Sequence, residues 1–328
     1  MSDSDSLPTA SPGPRSGVPE RSDVPDRLRG LPYNGPPDES HTEAGSDAHL
    51  VRLWLAEKSQ RTQEEYSADI EQFADVVDLP FRYVTLGALQ DYRTHLAEEK
   101  DYARSTQARK VSAVKSLFTF GTKVRYFRHN VAAALTAPQV RSKRSERILA
   151  ESQLWEILIG ETDLRNHVLL RLFYASGGRL SDIEGLTWND FAARKDLEGP
   201  DGKAGGQVTF FGKGEKTRSV ALYYKVWRLV QALREHEQAE GFGGPGDPAI
   251  RSQMGGALSR TQIWRVVKQA ATRAGVKTDQ TEDGRSPVSP HWFRHAHASH
   301  ALQKGANLEL VRETLGHESI ETTKLYLH

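Results

Sequence analysis

One histidine and one arginine lie three residues apart in the segment SPHWFRHAHASHALQKG, as His291 and Arg294. Pro290 favours a helix start just before them, and residues three apart in a helix project from one face. Arginine offers a two-pronged hydrogen-bond donor to phosphate oxygens, and histidine transfers protons near neutral pH. The pair therefore indicates phosphate chemistry, although an ordinary polar helix start also fits.

Metal binding is an alternative function for this segment, because it is crowded with histidines. They are His291, His295, His297 and His300. His291 and His295 would share a helix face, but no nearby carboxylate or cysteine completes a set of ligands. The sequence therefore favours a site without metal.

Two further basic residues have glycine neighbours. Arg179 follows a glycine pair in YASGGRLSDIEGLTW, where Ser181 or Asp182 can cap the next helix, and Lys213 lies between two glycines in FGKGEKT. Glycine would let the backbone swing the Lys213 ammonium toward a ligand. Taken singly, Arg179 also fits a structural ion pair and Lys213 a solvated turn.

The C-terminal segment LGHESIETTKLYLH contains a histidine and a tyrosine. His317 follows Gly316, and Tyr326 lies nine residues further on, in a short predicted helix. A tyrosine in such a place usually packs against a core, so this segment alone does not indicate chemistry.

In chain order, these residues resemble the catalytic set of the tyrosine recombinases, also called phage integrases, and are most similar to the Xer-like branch. YASGGRLSDIEGL is similar to the first arginine box, GKGEKTRSVAL to the lysine hairpin, HWFRHAHASHALQKGANLELVRETLGH to the H-x-x-R and L-G-H boxes, and ETTKLYLH to the nucleophile box. The resemblance covers roughly residues 47–328. The six residues are Arg179, Lys213, His291, Arg294, His317 and Tyr326.

The resemblance implies a transesterification on the DNA backbone. Tyr326 would be the nucleophile, and because the ordinary pKa of tyrosine is about 10, it needs help at the moment of attack. Arg179 and Arg294 would hold the nonbridging phosphate oxygens. His291 would be the general base, and His317 would donate a hydrogen bond to the phosphate.

Lys213 would protonate the leaving 5′ oxygen. The resulting 3′-phosphotyrosyl link conserves the bond energy, so the resemblance implies rejoining without ATP, metal or any other cofactor. A type IB topoisomerase-like enzyme, which uses similar chemistry, is one alternative. A DNA-binding accessory factor that has lost catalysis is another.

The composition agrees with a protein of the cytoplasm. The 328 residues carry a formal net charge of +1, so overall charge indicates no partner. The chain has no cysteine, and therefore neither disulfides nor thiolate metal sites, and it has no run of 18 apolar residues. We expect a soluble cytoplasmic protein without membrane contact.

Four regions follow one another along the chain. Residues 1–46 contain 8 of the 15 prolines and 8 serines, which predicts a disordered tail. Helical periodicity then predicts a domain over 47–138, in which Thr62 is the expected cap of the second helix. A basic linker over 139–146 leads to a catalytic domain over 147–328.

Basic residues are concentrated between residues 101 and 147, a segment that contains eleven lysines and arginines but only two acidic residues. A solvated helix face explains part of this, but the excess continues through the linker, which favours a track for the DNA backbone. The predicted DNA-binding residues are Arg104, Arg109, Lys110, Lys115, Lys143, Arg144 and Arg147.

The catalytic region is predicted to be mainly helical with a small antiparallel sheet. Two β-rich runs, 207–211 and 218–223, flank the Lys213 turn and predict a hairpin, and 193–206 is expected to be an exposed loop. The resemblance implies a SAM-like core-binding domain and a catalytic domain that form a C-shaped clamp on double-stranded DNA. It also implies a homo- or hetero-tetramer on paired sites.

Two features depart from the family pattern. In the family pattern the chain continues past the tyrosine with a helix that docks into a neighbouring protomer, whereas this sequence stops at His328. Either the sequence is truncated, or the protomers are coupled differently, or the assembly is weaker. Gly178 replaces a larger apolar residue, and we expect that difference to affect packing.

Overall fold

The structure is a computed structural model that describes residues 44–98, 100–140, 148–197, 199, 202–211, 217–276 and 288–327. The chain divides into two compact units, Met1–Arg141 and Ser142–His328. Most of the predicted tail, residues 1–43, lies outside the described residues. Ala44 is fully buried and the Ser46 hydroxyl accepts a hydrogen bond from the backbone of His49. The packed unit therefore includes residues 44–46, which the sequence assigned to the tail.

The first unit is helical. Its α-helices are α1 (Asp47–Ala56), α2 (Gln60–Val77), α3 (Leu86–Glu98) and α4 (Arg104–Lys123). The predicted cap of the second helix is wrong, because α2 begins at Gln60 after Ser59, and Thr62 lies inside the helix. The Thr62 hydroxyl instead bonds the Ser59 hydroxyl at 2.8 Å.

Aromatic side chains fill the core of this unit. The ring of Phe73 on α2 packs edge-on against Tyr92 and Phe118, with centroids 5.0 and 6.2 Å away. Asp47 is buried beside this core, and its carboxylate accepts hydrogen bonds from the backbone of Phe81 at 2.8 Å and from the hydroxyl of Tyr126 at 2.7 Å. These bonds satisfy a buried carboxylate and fix the turns that follow α2 and α4.

The second unit surrounds its small sheet with helices. The helices are α5 (Glu151–Ile159), α6 (Leu164–Ser176), α7 (Leu180–Glu184), α8 (Tyr224–Ala239), α9 (Arg260–Arg273), α10 (Pro290–Gln303), α11 (Leu308–Leu315) and α12 (Ile320–Lys324). The strands are β1 (Phe191–Arg194), β2 (Gly205–Phe211) and β3 (Thr217–Leu222). The predicted class, mainly helical with a small antiparallel sheet, is confirmed.

The sheet is antiparallel in the order β1-β2-β3, with Phe211 opposite Thr217 at the end of the predicted hairpin. The expected loop over 193–206 is shorter than predicted, because β1 and β2 take residues from both of its ends. The segment FAAR of β1 lacks the β-branched residues by which strands are recognised in a sequence.

Helices α6 and α10 pack together in the core of this unit, where Phe173 and Phe293 are fully buried. This packing places the C-terminal end of α6 beside the first turns of α10. None of the helices in the described part of the chain is long and apolar enough to cross a membrane.

Candidate active site

A buried arginine joins three segments of the second unit. Arg294, in the first turns of α10, is 4% exposed. Its Nη1 donates to the carbonyl of Gly177 at 2.7 Å, and its Nη2 donates to the carbonyl of Leu315 at 2.7 Å. Gly177 caps α6 and Leu315 ends α11, so both acceptors belong to helix C-termini, where carbonyls have no partner within the helix and carry partial negative charge.

Both helices leave this contact through a glycine in the left-handed conformation. Gly177 has φ 58° and Gly316 has φ 63°. A Cβ on Gly177 would lie 2.8 Å from side-chain atoms of His297 and Leu315, so glycine is required there for space as well as for conformation. The two turns bring Arg179 and His317 to neighbouring positions.

Arg179 begins α7 and is held at both its backbone and its side chain. Its N–H donates to the Asp182 carboxylate at 2.8 Å, and its Nη2 donates to the carbonyl of Gly316 at 3.2 Å. Asp182 also accepts from Nη2 of Arg218, on β3, at 2.5 Å. The sequence analysis missed Arg218, whose only signal was its place in the segment GKGEKTRSVAL.

The site concentrates positive charge. The pKa of Arg294 is lowered to about 10, first by burial and then by the nearby charge of Arg179. Arg294 therefore remains charged at neutral pH. An open cleft of about 1250 Å³ is lined by the basic residues Arg179, Arg218, Arg312 and His317 and by the carboxylates Asp182, Glu313 and Glu318. Arg218 and Arg312 are paired with carboxylates, whereas the Arg179 side chain donates to a backbone carbonyl. Arginine donors of this kind suit an anion with several oxygens, such as a phosphodiester.

Tyr326 lies just after α12 and is 5% exposed. Its ring belongs to a small cluster with Ala298, Val311 and Leu315. Its hydroxyl is 2.9 Å from Nδ1 of His295. The tyrosine is thus docked in its own subunit, with its oxygen hydrogen-bonded and its ring in an apolar pocket.

His317 lies against the other side of this region. Its ring is parallel to that of Tyr326, with centroids 6.2 Å apart, and its Nδ1 is 2.9 Å from the hydroxyl of Thr323 on α12. His317 is 8% exposed. It therefore links the turn after α11 to α12, the helix that precedes the tyrosine.

His291 is an exposed residue in the otherwise buried first turn of α10. Its ring centroid is 6.5 Å from that of His295, one helical turn further along. The family resemblance gives His291 the role of base toward Tyr326, whereas His295 was predicted from the sequence only as a metal-ligand candidate. A signal for His295 was available, since i and i+4 place it on the same helix face as His291.

The remaining histidines of α10 serve its packing. The Nδ1–H of His297 donates to the carbonyl of Tyr174 at 2.8 Å, and His300 bonds the carbonyl of Leu149 at 2.9 Å. Burial lowers the pKa of His297 to about 4, so this ring is neutral at physiological pH. Among the described residues, no group of three histidine, aspartate or glutamate side chains is arranged to hold a metal ion.

Four of the predicted residues, Lys213, Lys143, Arg144 and Arg147, lie outside the described residues. Within α4, Arg104 is exposed.

The other basic residues predicted on α4 are engaged within the first unit. Lys110 is 7% exposed and its Nζ donates to Asp69 at 2.8 Å, while Arg109 pairs with the other oxygen of the same carboxylate. Lys115 donates to the carbonyl of Leu135. Lys110 is therefore an internal ion-pair partner and not part of an exposed basic track, because a buried Asp69 needs a cation beside it.

Comparison with family models covers both units. The model described as phage integrase family matches residues 138–328, and the model described as phage integrase, N-terminal SAM-like domain, matches residues 47–126. The chain belongs to the phage integrase family. It is a tyrosine recombinase, an enzyme class that cleaves and rejoins DNA strands.

A curated relative of this integrase-family chain is tyrosine recombinase XerC of Halalkalibacterium halodurans. The two are 31% identical over 284 residues, which span 82% of this chain and 87% of the relative.

Solved structures share the fold. XerH site-specific recombinase, bound to a palindromic difH substrate after cleavage, matches with a TM-score of 0.68 at 18% identity, over 87% of this chain and 82% of that one. A lambda integrase tetramer bound to a Holliday junction matches with a TM-score of 0.64 at 17% identity, over 84% and 74%.

Replacing Arg294 by lysine tests its hold on the two helix ends. A single ammonium cannot reach both carbonyls, so one buried acceptor loses its partner. We expect the free energy of unfolding to fall by about 1–3 kcal/mol, measured by chemical denaturation. Arg260→Lys, at a half-exposed pair with Glu184, is the control and should cost less than about 1 kcal/mol. Equal losses in the two variants would show that Arg294 has no special structural role.

Acidification should destabilise the integrase fold through His297. Between pH 6.5 and 4, His297 is protonated in the unfolded chain but stays neutral in the folded protein. Acid therefore favours the unfolded chain, and the free energy of unfolding falls as pH falls, by up to about 3 kcal/mol from this residue. His297→Asn keeps a donor for the Tyr174 carbonyl and should flatten the dependence. Parallel curves for the parent and this variant, from denaturation at several pH values, would contradict the assignment.

Proposed function

We propose that this chain is a site-specific DNA recombinase that works through a 3′-phosphotyrosyl intermediate on Tyr326. Three observations carry the proposal. Arg179 and His317 line one open cleft, and Arg179 and the buried Arg294 donate to the adjacent carbonyls of Gly316 and Leu315. The Tyr326 ring is parallel to that of His317. The arginines supply charge for a phosphate, and the tyrosine supplies an oxygen nucleophile. The relatives described above are named as recombinases and an integrase, which supports the same reading.

The reaction exchanges one phosphodiester for another. The Tyr326 oxygen attacks the scissile phosphorus, a bond from phosphorus to the phenolic oxygen forms, and the bond to the 5′ oxygen breaks. A second strand's 5′ hydroxyl reverses the step. The bond from phosphorus to the 5′ oxygen is replaced by one to the phenolic oxygen, so the bond energy is conserved and ATP is not needed. Arg179 and Arg294 supply the positive charge that stabilises the reacting phosphate.

Each basic residue has a role in this proposal. Arg179 and Arg294 hold the nonbridging oxygens. Two of the five N–H donors of Arg294 go to helix carbonyls, which leaves donors for a ligand. His317 donates to the phosphate. His291, an exposed residue of the first turn of α10, is the residue to which the family resemblance gives the role of general base. Lys213 protonates the leaving 5′ oxygen.

The domain roles follow the same reading. Residues 47–138 form the core-binding domain, 139–146 the basic linker and 147–328 the catalytic domain. The partner is double-stranded DNA, engaged by a homo- or hetero-tetramer on paired sites, as in the lambda integrase tetramer on a Holliday junction. The protein works in the cytoplasm. Nothing in the comparisons favours the topoisomerase-like or accessory-factor alternatives.

A suicide-substrate assay tests the nucleophile. The protein is incubated with a library of nicked duplexes and denatured, and the adduct is mapped by peptide analysis. We expect the link on Tyr326, because that oxygen lies at the cationic site. Tyr326→Phe should remove the adduct and leave DNA binding intact. Tyr223→Phe, at an exposed tyrosine of the same unit, is the matched control. An adduct that survives in Tyr326→Phe would refute the assignment.

Charge reversal of Lys143, Arg144 and Arg147 tests the linker. We expect weaker binding to all sequences and a flatter dependence of log K on log salt, by roughly 0.9 for each phosphate that the variant no longer neutralises. The measurement is a salt titration of binding to unrelated duplexes. Lys110→Met is the contrasting variant, because its buried pair with Asp69 predicts lower stability with an unchanged slope. An unchanged slope in the linker variant would remove the linker from the interface.

A further inference from the structure

The hydrogen bond on the Tyr326 hydroxyl involves a histidine outside the six-residue set. Nδ1 of His295 is 2.9 Å from the tyrosine oxygen, and the two ring centroids are 5.4 Å apart. His295 directly follows Arg294 on α10, so the helix that holds the phosphate-binding arginine also holds this imidazole.

We propose that His295 is a catalytic residue that takes the proton of Tyr326 as the phenolic oxygen attacks. The inference rests on the proposed function of Tyr326. It assigns the base role to the imidazole that contacts the reacting oxygen, in place of His291.

The distance suits proton transfer. A general base must lie about 2.6–3.2 Å from the oxygen whose proton it takes, and His295 meets this condition in the resting protein. An imidazole changes charge near neutral pH, which matches the task. Proton transfer within an existing hydrogen bond needs no rearrangement of either ring.

Both partners are held in place independently of their bond. The Tyr326 ring packs against Val311 and Leu315 of α11, and α10 contacts that helix as well. The Arg294 guanidinium lies close enough that a negative charge on Tyr326 raises the pKa of Arg294. The same attraction favours the phenolate that forms as the proton leaves.

The proposed step balances. The O–H bond of Tyr326 breaks and its proton goes to Nδ1 of His295, while the phosphorus–phenolic oxygen bond forms. The phosphorus–5′ oxygen bond breaks, and the 5′ oxygen takes a proton from Lys213. Rejoining runs in reverse: the incoming 5′ hydroxyl returns its proton to Lys213, and His295 returns its proton to the phenolic oxygen.

Asparagine and alanine at position 295 separate proton transfer from positioning. Asparagine places a hydrogen-bonding group where imidazole has Nδ1, yet it takes up no proton, whereas alanine removes both properties. The readout is the single-turnover rate of adduct formation on a nicked duplex recovered from the library, between pH 6 and 9. DNA binding and thermal melting are measured for each variant, and His291→Asn, on the same helix face, is the variant that tests the competing assignment of the base.

We expect His295→Asn and His295→Ala to lower the adduct rate at pH 7 by roughly 10²–10⁴-fold, the usual contribution of a general base. The deficit should shrink as pH rises, because hydroxide then takes the proton. His295→Asn should melt and bind DNA like the parent. A structural role alone would not produce this pH dependence.

Three outcomes overturn the inference. If His295→Asn has the rate and pH profile of the parent, the hydrogen bond between His295 and Tyr326 only positions the tyrosine and transfers no proton. A pH-dependent loss in His291→Asn, with His295→Asn unaffected, would return the base role to His291. If the parent protein itself forms no adduct on Tyr326, the proposed function fails and the inference fails with it. The first two outcomes leave the recombinase function intact.

Discussion

The catalytic unit depends on one buried cation. The guanidinium of Arg294 has almost no contact with solvent, and a charge in that position is tolerated only when its hydrogen bonds are made inside the protein. Its acceptors are the carbonyls at the ends of α6 and α11, which are themselves without helix partners. The same two hydrogen bonds therefore satisfy a buried guanidinium and two helix-end carbonyls. Without the arginine the carbonyls would lack a partner, and without the carbonyls the charge would be buried unpaired.

The positions of the other site residues follow from this contact. Gly177 and Gly316 turn the chain immediately beyond the two helix ends, and Arg179 and His317, which follow these glycines, line the same cleft. His295 is the next residue along α10. The capping of two helices thus sets the geometry of the proposed phosphate-binding groups and of the imidazole against the tyrosine.

Sequence patterns predicted the helical series and the hairpin, because periodicity and glycine spacing are local properties. The segments that meet at the site were identified by the resemblance to the family. The predictions were wrong or incomplete where a side chain's partner is far away in the sequence. The burial of Lys110 depends on Asp69, about forty positions away, and the bond between Asp182 and Arg218 joins a helix to a strand. The contact of His295 with Tyr326 also required the fold, since the sequence shows only that His291 and His295 share a helix face. Thr62 resembled a cap, but the helix extends two residues beyond it in the N-terminal direction.

The double role of Arg294 has an evolutionary consequence. A lineage that abandons strand cleavage while keeping DNA binding cannot easily change this arginine, because the fold would lose its link between α6 and α11. Loss of activity through Tyr326 costs the fold less, since phenylalanine would keep the ring in its apolar pocket and remove only the oxygen. Inactive descendants of such a protein should therefore retain the arginine long after the tyrosine has drifted, and an intact arginine in a relative is poor evidence of activity.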